Sequence, residues 1–91
     1  MSSIPAIRVE FLGIPRQRTG VASAEFMGQT VGDVLRAAEQ AFPKLGGECL
    51  RNGVPEAAYL VAVNGVTLTR DSQHPLTAGD WLLLLNADVG G

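Results

Sequence analysis

The sequence predicts an α+β fold in which a mixed sheet of four or five strands packs on one main helix. Short segments near both ends of the chain are rich in residues that favour strands, and one central segment repeats its apolar residues with a helical period. An Asn-Gly pair, a strong hairpin signal, stands between two of the predicted strands. One helix covering one face of one sheet makes a compact α+β roll.

The first two strands are predicted to form a hairpin at the start of the chain. Residues 6–12 alternate between apolar and charged side chains, which is typical of a half-buried strand. Glycines and a proline within residues 13–20 indicate a turn. Residues 21–27 are expected to return as the second strand. Its expected inward-facing residues are Ala22, Ala24 and Phe26.

The main helix is predicted over residues 30–42. Thr30 is a good N-cap, and Asp33 stands at the position of the acidic residue in a capping box. Pro43 ends the helix, because proline disfavours the helical conformation of the residue before it. One apolar stripe runs along three turns and consists of Val31, Val34, Leu35, Ala38, Ala41 and Phe42.

The segment after the helix is expected to be a loop. Residues 44–57 contain three glycines and a proline, with room for a short strand near Cys49 and Leu50. Cys49 is the single cysteine of the chain, and we expect it to be a small, partly buried apolar residue rather than a reactive thiol.

A hairpin and a final strand are predicted in the last third of the chain. Residues 59–63 are rich in strand formers, and Asn64-Gly65 suits a type I′ turn, which needs positive φ at both central residues. Residues 66–69 would form the short return strand. After a polar connection, residues 81–85 form the last strand, which is apolar on both faces.

Composition excludes several classes of function. A chain of 91 residues forms one domain, and 46% apolar with 18% charged residues indicates a globular one. The net charge of −2 argues against nucleic-acid binding. One cysteine and one histidine cannot form an internal disulfide, a cysteine-rich or histidine-rich metal site or an iron–sulfur cluster. No segment has the length or apolarity of a membrane span, and the first residues do not resemble a secretory signal, so we expect a cytoplasmic protein.

The end of the chain carries a family resemblance. The chain ends in Gly90-Gly91 soon after the final strand, and glycine adopts conformations that let a chain enter a narrow channel. Together with Val-Ala-Val-Asn-Gly at 61–65 and His-Pro-Leu-Thr-Ala-Gly-Asp at 74–80, this ending resembles the MoaD/ThiS family of sulfur-carrier proteins. The resemblance covers nearly the whole chain and implies the ubiquitin-like β-grasp fold, with a domain at 1–86 and a flexible tail at 87–91.

The resemblance implies a carrier rather than an enzyme. In this family the terminal carboxylate, here that of Gly91, is adenylated by a ubiquitin-activating-like enzyme that uses ATP. It is then converted to a thiocarboxylate, which donates sulfur to an acceptor enzyme such as the large subunit of molybdopterin synthase. No cofactor is expected on the chain itself. Many members have two prolines just before the last four residues, where this chain has Leu85-Asn86-Ala87-Asp88.

The resemblance is compatible with several functions. The sulfur would serve the molybdenum cofactor, thiamine, cysteine or another sulfur-containing metabolite. The alternatives are a ubiquitin-like modifier joined to lysines through Gly91, and an interaction module in which the two glycines have no chemical role.

A partner-binding surface is predicted on one face of the final strand. If Leu82 and Leu84 meet the helix, alternate residues of that strand point to the opposite face. Either the loop at 44–57 covers that face, or it is an exposed apolar patch, which usually marks an interface. Asp88 would either contact a basic residue in the channel of a partner or keep the tail soluble. The predicted apolar docking residues are Leu12, Trp81, Leu83 and Leu85.

Overall fold

A computed structural model describes residues 3–87 and confirms the predicted sheet with one main helix. The strands are β1 (Ala6–Leu12), β2 (Ser23–Met27), β3 (Leu50–Arg51), β4 (Val54–Pro55), β5 (Tyr59–Val63), β6 (Thr67–Thr69) and β7 (Trp81–Asn86). The helices are α1 (Ile14–Thr19) and α2 (Val31–Ala41), and a 3-10 turn spans Pro43–Leu45.

Five strands form the main sheet in the order β2-β1-β7-β5-β6. The central pair, β1 and β7, is parallel, and the other neighbours are antiparallel, so the sheet is mixed as predicted. This order places the final strand in the middle of the sheet, where β1 and β5 hold it on both sides.

Helix α2 has the predicted cap and covers one face of the sheet. The Thr30 hydroxyl accepts a hydrogen bond from the Asp33 amide at 3.1 Å, and the Asp33 carboxylate accepts one from the amide of Gln29 at 3.3 Å. The helical stripe buries Val31, Val34, Leu35 and Ala38. The prediction for Ala41 was wrong: this residue is exposed, because it lies at the margin of the apolar stripe, whereas the adjacent Phe42 packs against the core.

The segment predicted as a turn at residues 13–20 contains helix α1. Gly13 has φ 70°, and Pro15 stands in the first turn, where its fixed φ suits a helix and its missing amide hydrogen is not needed. Gly20, with φ 77°, ends the helix in the left-handed conformation. Ala22 is also corrected, since it is exposed and precedes β2, whereas Ala24 and Phe26 pack against the core.

The segment 44–57, which was predicted to be a loop, contains two short strands. Strands β3 and β4 form a small hairpin whose turn, Asn52-Gly53, has positive φ at both residues. Leu45, Cys49 and Leu50 are completely buried in the core on the α2 side of the sheet. The segment therefore closes that core.

Asn64-Gly65 forms the predicted turn between β5 and β6. Its φ values are 56° and 70°, which satisfy the type I′ requirement. The Asn64 side chain also accepts a hydrogen bond from the Trp81 amide at 3.0 Å and donates one to Asp80 at 3.1 Å. These bonds tie the hairpin turn to the start of β7.

Candidate functional site

The site of interest begins where β7 leaves the sheet. The last pair between β1 and β7 is Leu12 with Leu85, and the last pair between β5 and β7 is Tyr59 with Asn86. The Ala87 amide then donates a hydrogen bond of 2.6 Å to the carbonyl of Ala58. Ala87, the first residue of the predicted tail, is therefore attached to the sheet.

Asn86 makes a second attachment on the other side of β7. The chain leaves β1 at Gly13 and turns into α1, so β1 no longer pairs with β7 at this level. The Asn86 side-chain oxygen instead accepts a hydrogen bond from the Ile14 amide at 3.3 Å. Three predicted site residues, Asp88, Gly90 and Gly91, lie outside the described residues.

The four predicted docking residues lie together on the face of the sheet opposite α2. Leu82 and Leu84 are completely buried against the helix, whereas Trp81, Leu83 and Leu85 are half-buried. Leu12 is 39% exposed and pairs with Leu85. The structure thus brings all four side chains to one face of the sheet.

Sequence reasoning missed two members of this surface, Leu60 and Leu68. Leu60 pairs with Leu85, and Leu68 pairs with Ala62, which in turn pairs with Leu83. Leu68 is 62% exposed. Their position depends on the register between β5, β6 and β7, and only the strand pairing reveals it. We call the apolar set on this face the outer patch, and it consists of Leu12, Leu60, Leu68, Trp81, Leu83 and Leu85.

Charged residues border one side of the outer patch. The Arg8 guanidinium lies over the Trp81 ring, 5.3 Å from its centroid, and its Nε is 3.0 Å from the Glu10 carboxylate. An open groove lined by Leu12, Gly13, Arg16, Gln17 and Gly20 adjoins the other end. The outer patch is thus a band of apolar side chains with polar groups at its rim, as in many protein interfaces.

Cys49 is not accessible for chemistry in the folded protein. Its side chain is completely buried, whereas the sequence predicted partial burial. Burial raises the pKa of the Cys49 thiol above its ordinary value, against the opposing influence of the adjacent Tyr59. Because the thiolate is the reactive form of cysteine, the folded protein holds this side chain in its inert form.

Within residues 3–87 no group of three or more His, Cys, Asp or Glu side chains could hold a metal ion. In the same part of the chain, the helices are too short and too polar to cross a membrane.

Comparison with known proteins identifies the family. The model of the ThiS family matches residues 9–91, which is most of the sequence. The chain belongs to the ThiS family. Proteins of the ThiS and MoaD type are small sulfur carriers with the ubiquitin-like β-grasp fold, and in general they are not catalysts themselves. A search among curated proteins found no match.

Solved structures of similar fold include three from different organisms. A chain of the BexX/CysO complex from Amycolatopsis orientalis is 26% identical, with a TM-score of 0.77 over 94% of this chain and 100% of that one. SAMP1 from Haloferax volcanii is 23% identical, with a TM-score of 0.80 over 94% and 99%. A Pyrococcus furiosus protein provisionally assigned as subunit 1 of molybdopterin converting factor is 24% identical, with a TM-score of 0.74 over 90% and 97%.

Proposed function

We propose that this ThiS-family protein carries sulfur as a thiocarboxylate on Gly91. The observation that supports this most directly is the family match through residue 91, which includes the Gly90-Gly91 pair. In the sequence these glycines follow β7 after a few residues, and β7 is the central strand of the sheet. The folded domain would then bind the partner enzymes, and the C-terminal carboxylate would react.

The chemistry proceeds in two steps. The Gly91 carboxylate attacks the α-phosphorus of ATP in a partner enzyme of the ubiquitin-activating type, which forms an acyl adenylate and releases pyrophosphate. Sulfide sulfur then attacks the carbonyl carbon and expels AMP, which gives the thiocarboxylate directly. If the donor is a persulfide, its outer sulfur attacks instead and forms an acyl disulfide; a thiol then attacks the donor's sulfur, forms a disulfide with the donor and releases the thiocarboxylate. Adenylation is needed because a free carboxylate is a poor electrophile and its oxygen is a poor leaving group.

Covalent geometry restricts where the partner can dock. Ala87 is attached to the sheet, and the Cα atom of Gly91 lies at most ~14 Å from that of Ala87, because an extended chain spans at most 3.6 Å per residue. The partner's active site must therefore come close to the end of β7. The nearest apolar surface is the end of the outer patch formed by Leu12, Leu60 and Leu85, which are paired side by side across three strands.

The outer patch is therefore the proposed contact surface for both the activating enzyme and the sulfur acceptor. Apolar anchors inside a polar rim are the usual arrangement where binding energy concentrates. The acceptor would be a molybdopterin synthase large subunit, or an enzyme that makes thiamine, cysteine or another sulfur-containing metabolite. Trp81, the only tryptophan, lies in this surface and provides a fluorescence signal for docking.

The decisive experiment is mass spectrometry of the protein after incubation with ATP, an activating enzyme and a sulfur donor. We expect the mass increase that corresponds to exchange of one oxygen for sulfur. Oxidation of Met27, which is 58% exposed, adds nearly the same mass. The increase must therefore be located in the C-terminal peptide and react with iodoacetamide. An increase elsewhere in the chain, or none, would contradict the proposal.

Replacement of Gly91 by a bulky residue provides the matched control. The variant still ends in a carboxylate, but a bulky side chain would hinder entry of the chain end into the narrow channel of a partner. It should therefore lose sulfur loading and keep the melting temperature of the native protein. Equal loading of both proteins would exclude the proposed mechanism. Isopeptide-linked conjugates on a denaturing gel would instead favour the modifier alternative, which uses the same activated carboxylate with a lysine amine as nucleophile. An interaction module would tolerate deletion of Gly91 in every assay.

A further inference from the structure

The end of β7 is held from both sides by contacts that do not belong to regular strand pairing. On the β5 side, the Ala87 amide donates to Ala58, one residue beyond the last paired residues. On the other side, the side chain of Asn86 accepts from the Ile14 amide across a separation of 72 residues. Ile14 itself is packed against the hydrophobic core. We call residues 86 and 87 the root of the tail. The contact with Ile14 therefore connects this root to the core of the domain.

The Asn86 contact takes the place of a strand neighbour. Up to Leu85, backbone hydrogen bonds to β1 and β5 fix the direction of β7. Beyond Leu12, the chain of β1 turns away at Gly13, where φ is 70°. Without the Asn86 side chain, residues 86 and 87 would be attached through the β5 side alone. A strand attached along one side can pivot about that line, whereas one attached along both sides cannot.

We propose that Asn86 is a positioning residue that fixes the direction in which the chain leaves the sheet toward Gly91. This inference rests on the proposed function for its consequence, because a fixed direction helps only if a partner must receive the end of the chain. The Asn86 oxygen restricts the conformations that the root can adopt before docking. Restriction before binding lowers the entropy lost when the tail enters the partner.

The structural part of the proposal is tested without any partner. A nitroxide label is attached at Ala87→Cys in a Cys49→Ala background, and its nanosecond mobility is measured by electron paramagnetic resonance. Amide exchange at Ile14 is measured in the unlabelled protein. Asn86→Ala should increase the label mobility and reduce Ile14 protection by ~2- to 10-fold, which corresponds to loss of one hydrogen bond. Asn86→Asp keeps an acceptor oxygen and should restore both values.

Asp80→Ala is the matched control for a general loss of stability. Asp80 makes its hydrogen bonds just before the start of β7, at the opposite end of the strand. This variant should lower the melting temperature without changing label mobility at residue 87 or protection of Ile14. If Asn86→Ala lowers the melting temperature but changes neither of these readouts, Asn86 is merely a stabilising residue and the proposal is overturned.

The functional part uses ATP–pyrophosphate exchange with an activating enzyme of the ubiquitin-activating type. Asn86→Ala should reduce kcat/KM for the carrier by ~2- to 10-fold, with recovery in Asn86→Asp. Normal exchange in Asn86→Ala, despite a mobile label, would overturn the positioning role. If the native protein supports no exchange, the proposed function fails, and the partner-free measurements still decide whether Asn86 fixes the root of the tail.

Discussion

Asn64 and Asp80, sixteen residues apart, are joined by a hydrogen bond of 3.1 Å from the Asn64 amide nitrogen to an Asp80 carboxylate oxygen. The other Asp80 oxygen accepts from the backbone amide of Thr77 at 2.9 Å and from its hydroxyl at 3.3 Å. The Thr77 amide, followed by the Asn64 side chain, lowers the pKa of Asp80 below its ordinary value. A hairpin turn and the start of the central strand thus depend on one ionised carboxylate.

Asp80→Asn should reduce the free energy of unfolding by about 1–2 kcal/mol at pH 7, because one end of an amide cannot accept hydrogen bonds. The lowered pKa means that Asp80 stabilises the fold above the unfolded-state value of about 4 and loses this contribution as the pH falls through its folded-state value. Urea unfolding of both proteins from pH 7 to pH 2.5 should show the difference shrinking below about pH 4. A difference that stays constant with pH would show that ionisation of Asp80 contributes nothing.

The secondary structure of the longer segments could be predicted because each shows a repeated pattern of apolar residues or a clear boundary residue. Helix α2 shows a cap and a three-turn stripe, and β5 is bounded by the Asn-Gly turn that ends it. Helix α1 has only six residues, too few to show a helical period, and its Pro15 and flanking glycines also favour turns. A turn and a short helix at residues 13–20 differ only in the backbone angles of a few residues, and the composition of the segment does not specify those angles.

A second Asn-Gly pair in the sequence also marks a hairpin, which was not predicted from the sequence. Asn52-Gly53 has the same positive φ values as Asn64-Gly65 and joins β3 to β4. Its flanking strands have two residues each, so alternation was absent. The remaining features of the site depend on register. No local pattern shows that Leu60 lies beside Leu85, or that Asn86 meets Ile14 across 72 residues.

Two positions of similar backbone geometry test how closely the β3–β4 hairpin packs on α2. Gly20 and Gly53 have φ values of 77° and 79°, but a Cβ atom at Gly53 would lie 2.6 Å from the carbonyl oxygen of Gly32, whereas one at Gly20 would meet nothing within 4 Å. Gly20→Ala should therefore lower the free energy of unfolding by about 1 kcal/mol, through backbone strain alone. Gly53→Ala should lower it by about 3 kcal/mol, because the steric conflict adds to the strain.

Chemical denaturation of these two variants provides the measurement. Equal losses in both would mean that the hairpin can move away from α2 without penalty. In that case the close approach at Gly53 does not contribute to stability.

Alkaline pH should destabilise the protein through two buried groups. Burial raises the pKa of Tyr59 to about 12, and burial also raises the pKa of the Cys49 thiol. Both groups are neutral and favourable below their unfolded-state pKa values of 9 to 10, and their contribution is lost as the pH rises toward the folded-state values. The free energy of unfolding should fall by about 2 kcal/mol between pH 9 and pH 12.

Tyr59→Phe removes the phenol and should flatten most of this decrease. An unchanged pH dependence in Tyr59→Phe would assign the decrease to other groups. The same burial predicts that a thiol reagent modifies Cys49 only after unfolding. Rapid modification of the native protein at pH 8 would contradict the buried placement of that side chain.

Two neighbouring leucines of β7 separate a docking role from a core role. Leu83 is half-buried on the outer patch, with Glu10 and Ala62 as its strand partners, and Leu82 is completely buried beneath α2. Leu83→Asp should weaken binding of an activating or acceptor enzyme by about 2 kcal/mol, roughly 30-fold, while the melting temperature changes little. Leu82→Asp should unfold the domain, because it places a charge in the core without a partner.

The charge of Glu10 requires one further control, because Leu83→Asp sets two carboxylates opposite each other on paired strands. Leu83→Lys places an opposite charge there and avoids this repulsion. If the outer patch is the docking surface, both variants lose affinity, since either charge must be desolvated at an apolar contact. If only Leu83→Asp is affected, and its melting temperature falls in parallel, the loss comes from repulsion within the sheet. Partner affinity from Trp81 fluorescence and thermal unfolding on the same samples separate these outcomes.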